Sequence, residues 1–319
     1  MTGILPSARE VRDAHARIAP YVKRTPLIHS AALSSLVGGD VYLKLECHQD
    51  GGSFKLRGAL NALLSLSPAE RAAGVVASSA GNHGIGVAMA AERLGIRATL
   101  FVPANAPAVK REKIAARGAI VDASQPNYDA AEDAARAFAA RTGATFVSPC
   151  TGRALLAGAG TVALEMFEDL PTLRTLVVCV GGGGLVGGIG GYVRDAAAGA
   201  RILGAQSVRT NAMALALEQG HAVDIPDLPT LADGLAGRVD DEMYQQGRAA
   251  LDAIVTVTEE AIAEAIRFLH ETHGLVVEGS GAVGVAALRS GAMKPQTFPL
   301  GATVSGGNID VGTWSQLVR

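Results

Sequence analysis

The chain has 319 residues, room for about two domains of ordinary size or one large one. Twenty-eight Lys and Arg against 30 Asp and Glu leave a net charge of −2, which gives no electrostatic support for binding nucleic acid or an anionic membrane. Its 49% apolar content with only 18% charge excludes a disordered composition, and its 58 alanines and 39 glycines suit helices packed closely on a sheet.

The N-terminus, MTGILPSAREVRDAHARIAP, has no basic start followed by an apolar run, so no signal peptide is expected. Gly51-Gly-Ser-Phe-Lys-Leu-Arg-Gly58 opens a helical stretch to about Leu66, with Ser53 as its cap. Short apolar runs then alternate with longer Ala-rich helical patterns. Strands are predicted over Gly74–Ser78, Ala98–Val102, Ala119–Val121, Thr145–Val147, Thr175–Val180, Ile202–Ala205, Ile254–Val257 and Ala302–Ser305. Between them, helices are predicted over His83–Leu94, Ala106–Arg117, Asn127–Thr142, Thr151–Asp169, Leu185–Ala198, Glu259–His273 and Gly281–Ser290. This alternation predicts an α/β fold with parallel sheets covered on both faces. Thr175 to Val193 is 19 residues without a charge, but eight are Gly, which would cost a helix roughly 6–8 kcal/mol against Ala. A strand running into a glycine loop is the better reading than a membrane span.

Four loops at strand ends or helix starts gather the chemistry. Gly181-Gly-Gly-Gly184 follows a strand and precedes a helix, so its N–H groups and the helix dipole form a phosphate cradle. Gly182-x-Gly184-x-x-Gly187 also fits a dinucleotide fingerprint, yet the next strand ends Ala205-Gln206-Ser207 without the acid that would hold a ribose, which weakens a nicotinamide reading. Lys55 lies in the first turn of its helix, where a cation is disfavoured by the dipole but a lysine consumed as a Schiff base is comfortable; a solvated lysine is the plain alternative. Ser78-Ser-Ala-Gly-Asn-His83 brings hydroxyls, an amide and helix N–H groups together and suits a carboxylate, a simple helix cap being the alternative. Val304-Ser-Gly-Gly-Asn308 offers one hydroxyl, Ser305, at a strand end.

Taken in order, SFKLRG, SSAGNHG, GGGGL, ADGLAG, VEGSGAVG and SGGN resemble the pyridoxal-phosphate enzymes of fold type II, within them the serine/threonine dehydratase and serine racemase group. The resemblance runs over nearly the whole chain. It implies a tryptophan synthase β-like fold, with residues 1–72 and 150–319 forming a large cofactor domain and 73–149 a small substrate domain. It implies that Lys55 carries the cofactor and shuttles the Cα proton, with Phe54 beside the ring. Gly181, Gly182, Gly183, Gly184 and Leu185 would hold the phosphate, Asn82 the ring hydroxyl oxygen, and Ser305 would face the pyridine nitrogen. Gly234 and Glu278 would line the same cleft. Ser53, Ser79, Ala80, Gly81, Asn82 and His83 would meet the substrate, an amino acid. The expected reaction is elimination of water from L-threonine or L-serine to a 2-oxo acid and ammonia. Another 3-hydroxy amino acid such as 3-hydroxyaspartate or phenylserine, and serine racemisation, stay open, as more remotely do a nicotinamide oxidoreductase and an idle cofactor binder.

Departures from the family pattern carry expectations of their own. Racemases of the group have Ser where this chain has Ala80, and a methyl group cannot move a proton, so little racemisation is expected. Gly51 stands where the family usually has Thr. Gln206 replaces a Glu metal ligand, so no metal is expected there. The long allosteric forms add a C-terminal regulatory domain that this chain is expected to lack. Analogy implies a homodimer or larger. Cys47, Cys150 and Cys179 form no disulfide pattern and suit a reducing cytoplasm. Cys47 and Cys179 read as buried strand residues, His270 and His273 as a solvated helix face, Lys110–Lys113 as another, and Trp314 as C-terminal packing.

Overall fold

The computed structural model describes residues 3–106 and 108–319. Among the described residues, ten strands form two sheets. β1 (Leu27–His29), β2 (Val41–Leu45), β7 (Thr175–Cys179), β8 (Arg201–Ser207), β9 (Ala253–Val257) and β10 (Leu300–Val304) make one, in the order β1-β2-β10-β7-β8-β9. β3 (Val75–Ser78), β4 (Ala98–Pro103), β5 (Ile120–Gln125) and β6 (Thr145–Phe146) make the other, in the order β5-β4-β3-β6. Every pairing is parallel except that of β1 with β2. This is the α/β fold of two parallel-sheet domains expected from the alternating pattern. All eight predicted strands are present within a few residues. β1 and β2 are additions.

The central strands β7 and β10 are buried along their whole length, as their unbroken apolar runs require. Around them a large core gathers residues from Leu33 to Val304. A second core surrounds the helix Lys55–Leu64, whose Leu56, Ala59, Leu60 and Leu63 pack with Val87 and Ala88 of the helix Asn82–Leu94 and with Leu155 and Leu156 of the helix Arg153–Asp169. The lysine-bearing helix therefore sits at the junction of the two sheets' helical layers.

Glycines set the spacing of these helices. A Cβ at Gly158 would lie 2.5 Å from the Arg57 carbonyl oxygen, and one at Gly160 would lie 2.6 Å from that of Gly188. Three helices, Lys55–Leu64, Arg153–Asp169 and Gly184–Ala196, thus touch backbone to backbone.

The apolar segment Thr175–Val193 divides into β7 and the first part of the 13-residue helix Gly184–Ala196. Among the described residues no helix is long and apolar enough to cross a membrane. Three expectations need correction. Ser53 does not cap the Lys55 helix: it is extended and bridges Gly306, and Phe54 occupies the cap position with no side-chain hydrogen bond. Cys47 lies in a short 3-10 turn, Glu46–His48, not in a strand. His270 and His273 are not a solvated face, because His270 packs edge-on against Trp314 and His273 meets the Ser30 hydroxyl at 2.9 Å.

Candidate active site

Because β2, β10 and β7 run parallel, their carboxyl ends open on one side, toward the loop after β3. The chemistry-bearing loops lie there. After β7 the chain passes through Gly181 and Gly182, takes a left-handed turn at Gly183 (φ +89°) and enters the helix Gly184–Ala196. Only glycine adopts that turn without strain. A Cβ at Gly182 would stand 2.6 Å from Cys150 Sγ, and one at Gly181 would stand 3.0 Å from Leu235 Cα. No side chain caps this helix, so its first-turn N–H groups remain available to an anion.

The same is true of the two helices that face it. The helix Asn82–Leu94, after β3, and the Lys55 helix also lack side-chain caps. Ser7, Ser30, Ser67, Asn127, Asp240, Thr258 and Asp310 cap helices elsewhere, while the helices Arg153–Asp169, Ala212–Gln219 and Gly279–Arg289 are also without a side-chain cap. A polar side chain at the cap would occupy the donors that a ligand would otherwise use.

Lys55 Nζ donates to the Pro149 carbonyl oxygen at 2.9 Å and lies 5.2 Å from the centre of the Phe54 ring. That same carbonyl would be 3.0 Å from a Cβ at Gly184, so Pro149 joins the amine to the glycine loop. Ser305, at the end of β10, is buried with the Cys179 thiol beside its hydroxyl, and its carbonyl accepts from the Phe54 N–H at 3.1 Å.

Asn82 Nδ2 donates to Glu278 Oε1 at 2.5 Å. Burial, and next Asp233, push the Glu278 carboxyl up to about 7, so it is neutral in a large share of molecules near neutral pH. His83 is also neutral: burial, and next the charge of Lys55, hold its imidazole down to about 3. Its Nε2 donates to the Val147 carbonyl oxygen at 2.9 Å, which leaves Nδ1 buried without a partner, as is the neighbouring Ser78 hydroxyl. The side chain of His83 therefore offers no cation to a carboxylate; only its backbone N–H can serve. Gly81 N–H is engaged by Ser79 Oγ at 3.1 Å. Ala80 is half-buried between them. Gly234 is exposed, and its N–H donates to Ser280 Oγ at 2.9 Å.

Several contributors were not singled out as site residues from sequence. Asn308 bonds both Asn82 and Gly51. Lys110, read as part of a solvated run, reaches Asp233 at 3.1 Å across the cleft mouth. Cys150 lies against the glycine loop. Behind the site, Arg57, Lys44, Glu46 and Glu165 form a fully buried charge cluster. Arg57 bonds Glu46 at 2.8 and 2.9 Å and Glu165 at 2.7 and 2.9 Å, and Lys44 meets Glu165 at 2.6 Å. Burial alone would raise the Glu165 carboxyl, but Arg57 and Lys44 outweigh it and hold it low. Lys44 and Glu46 stand two apart, on one side of the otherwise apolar run Val41–Leu45, which was the available signal.

An amine beside a glycine-built anion cradle at a helix start, with a buried hydroxyl at the neighbouring strand end, fits pyridoxal phosphate. The cradle would take the phosphate, Lys55 the aldehyde and Ser305 the ring nitrogen. The family profile of the pyridoxal-phosphate dependent enzymes matches residues 18–304. The chain belongs to that family, in its fold type II branch with the threonine dehydratases and serine racemases. It is 40% identical to an L-threonine ammonia-lyase of Thermotoga maritima over 311 residues, 97% of this chain and 77% of that protein. It is 35% identical to a serine racemase of Oryza sativa over 323 residues, 99% and 95% of the two chains. The structure of maize serine racemase superposes with a TM-score of 0.93 at 35% identity, covering 98% of this chain and 96% of that one.

Proposed function

We propose that the protein is a dehydratase that removes water from a β-hydroxy amino acid, first L-threonine or L-serine, to give a 2-oxo acid and ammonia. The observation that carries this reading is the neutral surround of the candidate ring site: a serine hydroxyl at the strand end and a carboxyl, Glu278, raised toward neutrality. Pyridoxal phosphate, when bound, supplies an electron sink conjugated to the substrate Cα. A neutral partner at its nitrogen limits that sink and favours prompt loss of a β-leaving group.

The protein's own groups would act as follows. Lys55 holds the cofactor and, once displaced by the substrate amine, takes the Cα proton at Nζ. Phe54 packs against the ring, Gly181–Gly184 and Leu185 hold the phosphate, and Asn82 donates to the ring hydroxyl oxygen. The uncapped helix start at Asn82–His83, with Ser79, grips the substrate carboxylate and holds the Cα–H bond perpendicular to the ring. The Cβ hydroxyl would leave with one proton as water, balanced by the Cα proton taken at Lys55 Nζ, and the freed enamine would take up water to give the 2-oxo acid and ammonia. Ala80 leaves the opposite face without a proton donor, which supports elimination over racemisation. We also propose residues 73–149 as the substrate-side domain and the remainder as the cofactor domain. A dimer or larger assembly remains the reading by family analogy.

The test is 2-oxo acid release by the holoprotein from L-threonine, L-serine, their D forms and 3-hydroxyaspartate. Rapid release from L-threonine or L-serine supports the reading. Release from 3-hydroxyaspartate alone keeps the chemistry and moves the substrate. Interconversion of serine enantiomers without oxo acid overturns it in favour of a racemase, and a yellow protein that releases nothing overturns it in favour of an idle binder.

A further inference from the structure

We propose that Asn308 is a positioning residue that fixes which end of the Asn82 amide faces the cofactor, and that the Gly51 carbonyl fixes Asn308 in turn. The inference rests on the reading of Asn82 as the residue that meets the ring hydroxyl oxygen.

The polarity of each contact follows from the one before it. A peptide carbonyl oxygen only accepts hydrogen bonds, so the end of Asn308 that lies 2.7 Å from Gly51 O is Nδ2. That nitrogen has a second hydrogen, which it donates to Asn82 Oδ1, also at 2.7 Å. With Oδ1 held there, Asn82 turns Nδ2 to the other side, where it donates to Glu278 Oε1 at 2.5 Å. One N–H of Asn82 then stays uncommitted, and it is a donor. Reversing Asn308 would set its oxygen against the Gly51 oxygen, and reversing Asn82 would set its nitrogen against the Asn308 nitrogen.

The start of this relay is built into the backbone. Gly51 and Gly52 both have left-handed φ values, +76° and +75°, and the loop they form is laced to the loop after β10 by the bond from Gly307 N–H to Gly52 O at 2.9 Å. The Asn308 side chain lies directly on Gly52: a Cβ there would come within 2.7 Å of its Oδ1. The relay also crosses the cleft. Asn82 starts the helix that follows β3 of the four-stranded sheet, while Glu278 and Asn308 flank elements of the six-stranded one.

Asn308→Asp keeps the shape and removes both donors. It is expected to weaken binding of pyridoxal phosphate to the apoprotein about tenfold by fluorescence titration and to shift the visible absorption band of the holoprotein. Asn308→Ala, which frees the Asn82 amide without repelling it, is expected to weaken binding several-fold, and it decides the question if the Asp variant does not fold. Asn82→Ala is measured alongside. An Asn308 variant that binds within twofold of wild type with an unmoved band, while Asn82→Ala loses affinity, overturns the proposal. If Asn82→Ala itself changes neither readout, the reading of Asn82 fails instead, and the positioning role falls with it.

Discussion

Arg57→Met should be among the most damaging single substitutions outside the cofactor loops. Arg57 is wholly buried and shares a dry cluster with one other cation, Lys44, and two carboxylates, Glu46 and Glu165. The four formal charges cancel. Removing the guanidinium leaves a surplus negative charge in a site that water does not reach, and breaking a buried pair in this way costs about 3–5 kcal/mol. Methionine fills much of the volume, so the loss is mainly electrostatic. Adding Glu46→Gln restores balance, with Lys44 against Glu165, and removes the carboxylate whose one cationic partner is Arg57, the Thr25 hydroxyl being its other donor. The double variant should therefore be at least ~1.5 kcal/mol more stable than the two single losses added, the size of coupling expected between groups in one network. Urea unfolding followed by circular dichroism measures both. The reasoning is refuted if the double variant is as unstable as the two single losses added, or if Arg57→Met costs under about 1 kcal/mol.

Other predictions follow from the site. Glu278 titrates at about 7 when folded against 4.5 as an ordinary glutamate, so the native state keeps a proton that the unfolded chain has released between those values. Stability should thus fall as pH rises from 4.5 to 7, by up to ~3 kcal/mol, and Glu278→Gln should flatten that slope in urea midpoints taken at pH 5 and pH 8. Gly182→Ala drives a methyl into Cys150 and should weaken cofactor binding at least about tenfold in a fluorescence titration, whereas Gly199→Ala, at an exposed site with only Arg174 near, should not. Ala80→Ser should raise D-serine formation from L-serine on the order of tenfold or more by chiral chromatography; no rise would mean that a missing proton donor is not what limits racemisation. Gln206 spends its amide on Thr210 O and the Ala214 N–H, so EDTA should change neither rate nor melting temperature, and a clear loss of either would place a needed cation in the protein.

Eight of the ten strands were legible because each is a short apolar run closed by a turn or glycine signal. β1 is three residues long, and β2 carries Lys44 in its run with Glu46 just after it, so neither reads as a buried strand from local pattern. The charges look like surface until Arg57, on the helix that follows, and Glu165, distant in sequence, are brought against them. Ser53 shows the same limit in reverse. Its type suits a cap, but Gly306 recruits it into a bridge. The loops of the candidate site were readable because each is local: glycine loops after strands and a lysine in a first helical turn. What pairing adds, the Asn308 relay and the Lys110–Asp233 contact, depends on which loops meet across the cleft, and no spacing along the chain encodes that.

The backbone contacts at Gly158 and Gly160 make the three helices behind the site a gauge of fixed thickness. One end of that gauge carries the lysine and the other opens into the glycine loop, so the separation of the Lys55 backbone and the glycine loop is set by peptide units rather than by interchangeable side chains. Core residues around them can be exchanged for others of similar volume without moving either end. A single methyl at 158 or 160 would change the gauge itself, and with it the spacing of the lysine helix from the glycine loop.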